Sequence, residues 1–185
     1  MKVAEVEKQQ RPKMSDWENM NLFIATVFMG HTMSKIMEPL LWDDKIQNLI
    51  HSNEKFDVVI VEQFLNDAQK ALAIHFGAPL IVMSTVRANS WVNTLVGDPS
   101  PASYIPMLLT DYSVPMAVSE RLLNGILSVM TELFYHFYVY PNENHRIKKY
   151  IPNGVDISDV LYNASLVLMN SHPSLNQPVP YVPNM

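Results

Sequence analysis

The stretch from Phe56 to Thr85 constrains the fold more than any other part of the chain, because a strand, a helix and a second strand follow one another in about the length that a crossover needs. Phe56-Asp57-Val58-Val59-Ile60-Val61-Glu62 is an apolar, β-branched run of the kind seen in parallel strands with helices over both faces. Asn66 or Asp67 can cap the next helix, Ala68, Ala71, Leu72 and His75/Phe76 recur at helical spacing, and Gly77 stands where a left-handed residue ends it. After Ala78-Pro79, Leu80-Ile81-Val82-Met83-Ser84 is the second strand. One right-handed βαβ unit is predicted, and with it an open parallel α/β sheet.

Ligands of open α/β sheets bind beyond the carboxyl ends of the strands, near the point where strand order reverses. The residues to watch are therefore Glu62-Gln63-Phe64 and Thr85-Val86-Arg87, and Asn170-Ser171-His172 if Leu166-Val167-Leu168-Met169 is a third parallel strand.

Composition narrows the function. The chain has 13 basic and 18 acidic residues, a net charge of -5, and no Lys/Arg cluster beyond Arg146 to Lys149, which argues against nucleic acid as a partner. Without cysteine there is no thiol nucleophile or disulfide framework. The six histidines, His31, His51, His75, His136, His145 and His172, show no metal-ligand spacing, so no metal and no cofactor are expected. The start of the sequence lacks the apolar core of a signal peptide, and no run approaches the ~18 apolar residues of a membrane span.

Elsewhere, Ser15-Asp16-Trp17-Glu18 reads as a capping box before an apolar helix from Met20 to Met37 that reaches Pro39, and a short helix is predicted from Asp43 to Ile50. Gly97 to Pro115 is rich in turn formers and predicts a surface loop beside the ligand rim. Ser119 opens a long helix through Tyr138 that Pro141 kinks or restarts before Ile147 to Tyr150. This helix has the apolar load of a partner-binding or membrane-contacting element, with core packing as the plainer reading, and it lacks the basic face that surface binding to membranes normally adds. Pro178 to Pro183 predicts an extended connector.

Phe56 to Phe64, Ala78-Pro79-Leu80-Ile81, Pro101 to Pro106, Asn170 to Leu175 and Pro180 to Asn184, in this order and spacing, resemble the N-terminal half of the UDP-glycosyltransferases, particularly their insect members. The resemblance runs from about Ser15 to Met185. It implies a Rossmann-like open parallel sheet belonging to the N-terminal, acceptor-binding domain of a two-domain GT-B enzyme. On that reading, residues 1–14 are unassigned, residues 15–177 form an incomplete acceptor-binding domain, and residues 178–185 lead toward a donor domain. The family's first strand, whose following loop carries the catalytic histidine, is expected upstream, and the donor domain that mainly binds the UDP-sugar co-substrate is expected downstream.

The resemblance further implies inverting transfer, in which a histidine takes the acceptor hydroxyl proton and a carboxylate orients that histidine. Glu62 falls at the carboxylate position, where many members carry Asp; the alternative is a strand-end carboxylate that caps the helix near Asn66. Thr85 matches a residue that contacts the donor sugar, or it is an ordinary loop cap. Gln63, Phe64, Val86, Asn89 and Trp91 would line the acceptor side, and Asn170 and Ser171 its rim; each is otherwise core or loop packing. Asn163-Ala164-Ser165 is a glycosylation sequon, by default a chance occurrence and meaningful only if the protein enters the secretory pathway.

The expected activity is thus sugar transfer to a hydroxyl of a small lipophilic acceptor, with this chain inactive alone. The alternative is a non-catalytic module that binds lipophilic ligands or full-length partner enzymes, as a homo- or hetero-oligomer through apolar helices. An unrelated flavodoxin-like nucleotide binder lacks a Gly-rich phosphate loop after any strand. Full-length animal members of the family sit on the lumenal side of the endoplasmic reticulum membrane. A sheet without its first strands would leave an edge and an apolar face bare, which predicts low stability in isolation.

Overall fold

A computed structural model describes residues 22–108, 110–112, 114–152, 155–172 and 181–185. The capping box at Ser15 and residues 178–180 of the Pro-rich tail lie outside the described residues. Three parallel strands, β1 (Val59–Glu62), β2 (Leu80–Ser84) and β3 (Leu166–Met169), form a sheet in the order β1-β2-β3. Val59 pairs with Leu80, and Ile81 with Leu166. The α/β class and the parallel third strand are as the sequence leads one to expect.

The first helix, α1 (Leu22–Leu41), runs through Pro39 rather than stopping short of it. Pro39 removes the N–H that Lys35 would have received, but it stands in the last turn and Lys35 is exposed, so the helix keeps its final residues. Next, α2 (Asp44–Ile50) is capped by Asp43, whose carboxylate accepts the Lys45 N–H at 3.0 Å. Helix α3 (Asp67–Phe76) follows β1 and ends at Gly77, whose φ of 64° is the left-handed conformation that glycine adopts without strain. β1 is shorter than the apolar run suggested: Phe56 instead packs edge-on against Phe76, with ring centroids 4.9 Å apart.

A short helix, α4 (Ser90–Asn93), and a 3-10 turn (Thr94–Val96) follow β2. Helix α5 (Val118–Phe134) begins one residue before Ser119, and Glu120 reaches back to accept the Ala117 N–H at 2.7 Å. The loop before α5 is held by Asn124, which is fully buried. Its amide donates to the carbonyls of Ala102 and Ile105 at 2.7 and 2.9 Å and accepts the Met107 N–H at 2.9 Å. A π-helical turn (Tyr135–Val139) joins α5 to α6 (Tyr140–Tyr150), so Pro141 marks a restart, and Asn142 donates to the Tyr138 carbonyl at 2.6 Å. The short α7 (Ile157–Val160) precedes β3.

The core lies on one side of the sheet. Val59, Val61, Leu80, Val82 and Val167 pack with Ala73 of α3 and with Val92 and Leu95. Behind α3, Ala68 and Ala71 meet Ile147, Ile157 and Val160. Pairing register puts Ile60, Ile81, Met83, Leu166 and Leu168 on the opposite face, where Ile60, Met83 and Leu168 are 61%, 45% and 49% exposed. The two-sided cover that the apolar β1 run predicts is therefore not met among the described residues, whose helices cover one face. The edges differ as well. The N–H of Val167 bonds the Asn184 carbonyl at 2.9 Å, which closes the β3 edge, while β1 has no outer strand among the described residues.

Candidate functional site

Because all three strands are parallel, the loops after Glu62, Ser84 and Met169 leave the same end of the sheet, and Asn170 is tied to it by its N–H on the Ser84 carbonyl at 2.9 Å. Strand order β1-β2-β3 contains no reversal. Among the described residues, a crevice of the switch-point kind thus has one place left to form, the open edge of β1.

The loop from β1 to α3 is the most tightly built part of this rim. Asn66 brackets it: Oδ1 accepts the Phe64 N–H at 3.0 Å, and Nδ2 donates to the Glu62 carbonyl at 2.9 Å and to Gln69 Oε1 at 3.0 Å. Leu65 is held at φ 55°, a left-handed conformation that costs a bulky residue about 1–3 kcal/mol, and its side chain is buried against Tyr135 and Val139. With Asn66 making the local turn, Glu62 does not serve as the cap. Its side chain is exposed, and its carboxylate has no hydrogen-bond or ion-pair partner among the described residues.

A groove of about 610 Å³ runs along the β1 edge, lined by Leu40, Leu41, Ile46, Val61, Leu72 and three residues singled out in the sequence, Glu62, Phe64 and Thr85. Val59 and Gln63 direct their N–H groups to β2, so the alternation of a strand turns the N–H and C=O of Ile60 toward the groove. Phe64 is 49% exposed and Thr85 is exposed. Gln63 is buried beside them, its Oε1 without a partner among the described residues.

A second cavity, about 440 Å³, lies across the same loop, between the 90–94 segment and the α5–α6 junction. Trp91 stacks on Tyr135 at 6.1 Å within it, Tyr140 and Tyr162 complete the aromatic walls, and Asp67 and Glu132 bring carboxylates. Burial, followed by the negative charge of Asp67, raises the pKa of Tyr135 and Tyr140, so both phenols stay protonated and available as donors. The indole N–H of Trp91 and the Thr131 hydroxyl are buried without partners among the described residues.

The other residues singled out in the sequence are scattered. Asn89 is buried and fully engaged as the α4 cap, accepting the Trp91 N–H at 3.0 Å and donating to the Arg87 carbonyl at 2.9 Å. Val86 is 37% exposed, and its carbonyl accepts the Ser84 hydroxyl at 2.9 Å. Asn170 and Ser171 line neither the groove nor the aromatic cavity. Asn163 is exposed, in a turn next to buried Ala164. His31 does not line the groove; its ring bonds the Tyr138 hydroxyl.

The sequence names Asp67 as a possible helix cap and Arg146 as part of a basic segment, but not the buried charge pairs they form beneath the loop. Lys70 is fully buried and pairs with Asp67 at 2.6 Å. Glu143, also buried, accepts the Ala68 N–H at the α3 N-terminus at 3.2 Å and pairs with Arg146 at 2.8 Å. The three-residue spacing of Asp67 and Lys70 on one helix was the available signal.

The family model described as "UDP-glucoronosyl and UDP-glucosyl transferase" matches residues 2–185. UDP-glucosyltransferase 2 of Dactylopius coccus is 29% identical over 88% of this chain, which covers 31% of that protein. UDP-glycosyltransferase UGT5 of the same organism is 30% identical over 76% of the chain and 27% of the relative. UDP-glucuronosyltransferase 1A8 of Homo sapiens is 26% identical over 70% and 24%. The chain thus spans about a third, or less, of the length of these relatives. No solved structure matches significantly.

Proposed function

This chain belongs to the UDP-glycosyltransferase family, and on that premise we propose that it forms the acceptor side of a site that transfers sugar, with inversion, from a UDP-sugar to a hydroxyl of a small lipophilic molecule. One observation carries this reading: Glu62, Phe64 and Thr85 line a single groove at the β1 edge, where the strand order of the described residues leaves room for a crevice. An exposed carboxylate at a strand end, unpaired among the described residues, can receive a ring N–H. There Glu62 would hold the tautomer and orientation of a base histidine supplied by residues beyond the described ones, and stabilise the imidazolium formed as the acceptor hydroxyl is deprotonated.

Phe64 supplies apolar area for the acceptor, Gln63 and the Trp91 cavity extend it, and Thr85 reaches toward the donor sugar. The UDP-sugar is held mainly by protein outside this stretch, so the chain alone is expected to transfer no sugar. A lumenal location at the endoplasmic reticulum fits the exposed Asn163 sequon. No helix among the described residues is long and apolar enough to cross a membrane. A second reading, a non-catalytic module for lipophilic ligands, is favoured by the aromatic cavity around Trp91, which could hold a ligand without any chemistry.

Calorimetric titration of the purified chain with 2-naphthol and with UDP-glucose tests the proposal. Binding of 2-naphthol that falls at least tenfold in Phe64→Ser, with no heat from UDP-glucose, is expected. Saturable UDP-glucose binding, or 2-naphthol binding indifferent to Phe64→Ser, would overturn it.

A further inference from the structure

Helix α5 and the π turn after it bury one face, through Asn124, Leu127, Thr131 and Tyr135, and leave the other open. On the open side Val118, Leu122, Ile126, Val129, Leu133 and Phe137 are 84%, 67%, 48%, 56%, 51% and 73% exposed. Twenty residues at 1.5 Å each make this an apolar stripe roughly 30 Å long. Monomeric proteins rarely leave so long a contiguous patch bare.

The stripe reads nearly the same in both directions. About the point between Leu127 and Ser128, Val118 is the counterpart of Phe137, Leu122 of Leu133, and Ile126 of Val129. Gly125 is the counterpart of Met130, and a Cβ added at Gly125 would meet nothing within 4 Å, so there is room for the longer side chain. Arg121 and Glu132 share one flank of the stripe, and reversal of the helix brings each within two residues of the other's counterpart. Glu132 has no ion-pair partner among the described residues.

We propose that this face is an interface with a second copy of the chain, in which two α5 helices pack antiparallel about a twofold axis through the Leu127–Ser128 midpoint. An isologous contact requires a self-complementary surface, and the spacing supplies one. Leu122 meets Leu133 of the other copy, Ile126 meets Val129, and Arg121 pairs with Glu132 twice by symmetry. A lipid surface is a poorer fit, since the flanks of the stripe lack the run of Lys and Arg that adds attraction to anionic headgroups. The stripe presents an area of the order of the ~800 Å² per partner that stable interfaces bury.

The test is sedimentation of the purified chain, combined with cross-linking, which the absence of native cysteine makes clean. A dimer is expected. Its dissociation constant should rise at least tenfold in Leu122→Glu and several-fold in Arg121→Glu, and return toward the original value in Arg121→Glu/Glu132→Arg. Mild oxidation should link Leu122→Cys chains to Leu133→Cys chains in a mixture, and Leu122→Cys chains alone should stay unlinked. A monomer at 100 µM would overturn the proposal, as would failure of the charge reversal to restore association or cross-linking without that register. Flotation of a monomeric chain with phosphatidylcholine vesicles, abolished by Leu122→Glu, would assign the stripe to a membrane instead. None of these outcomes depends on sugar transfer or acceptor binding.

Discussion

On one face of the sheet Val82 and Val167 are sealed beneath α3 and the 90–96 segment, at 0% and 1% exposure; on the other, Ile60, Met83 and Leu168 are just as apolar and remain open to solvent. The edges repeat the contrast, with β3 closed by Asn184 and β1 without an outer strand among the described residues. Side-chain type does not decide burial here; the presence of a covering layer does. Full burial of such a side chain is worth about 1.5–3 kcal/mol, and that gain goes unrealised on the open face. The candidate site stands where the open edge meets the strand ends, so the least covered part of the fold is also the part with room for a ligand.

The sharpest way to break this comparison is to disturb the covered side through its charges. Lys70→Ala leaves Asp67 buried and unpaired, and should lower unfolding stability by about 3–5 kcal/mol in urea titrations. The double change Asp67→Asn/Lys70→Met, which removes both charges, should recover much of that loss. Next in size is the contrast between faces. Leu80→Ala, in the covered core, should cost about 2–5 kcal/mol, and Ile60→Thr on the open face less than about 0.5 kcal/mol. Equal costs would mean that the open face is covered in solution.

The smallest effect concerns pH. Asn144, then Lys148, hydrogen-bond the Asp156 carboxylate and hold its pKa below the usual 3.8. A depressed folded pKa adds stability above the unfolded value, and that stability is lost as pH falls below 3.8 toward the folded value. Asp156→Asn should therefore lower stability slightly at neutral pH and flatten the acid side of the curve in thermal melts between pH 2 and 5.

Much of this fold is legible in the residues themselves. The second strand, the Gly77 stop, the short helix that starts at Asp43 or Asp44 and the restart at Pro141 are local events, each set by the chemistry of a few neighbours. The β1 run was legible as a strand but not in its surroundings. Val58 to Val61 are suited to two covered faces, and only the assembled fold shows that the described residues cover one of them. The site divides in the same way. Parallel strand ends predicted the rim, and Glu62, Phe64 and Thr85 do share a groove. Asn89 turned inward because its side chain caps α4 at short range. The pairing of Trp91 with Tyr135 joins residues 44 positions apart, which no local pattern reports.

The most direct test of the central claim, that Glu62 at the open edge orients the base for sugar transfer, is the turnover number of Glu62→Gln. It should be measured in UDP-glucosyltransferase 2 of Dactylopius coccus carrying this chain in place of its matching segment. A fall in kcat of about 10²–10⁴-fold with little change in KM, in a protein that melts at the same temperature, is the predicted result. An unchanged kcat would contradict it.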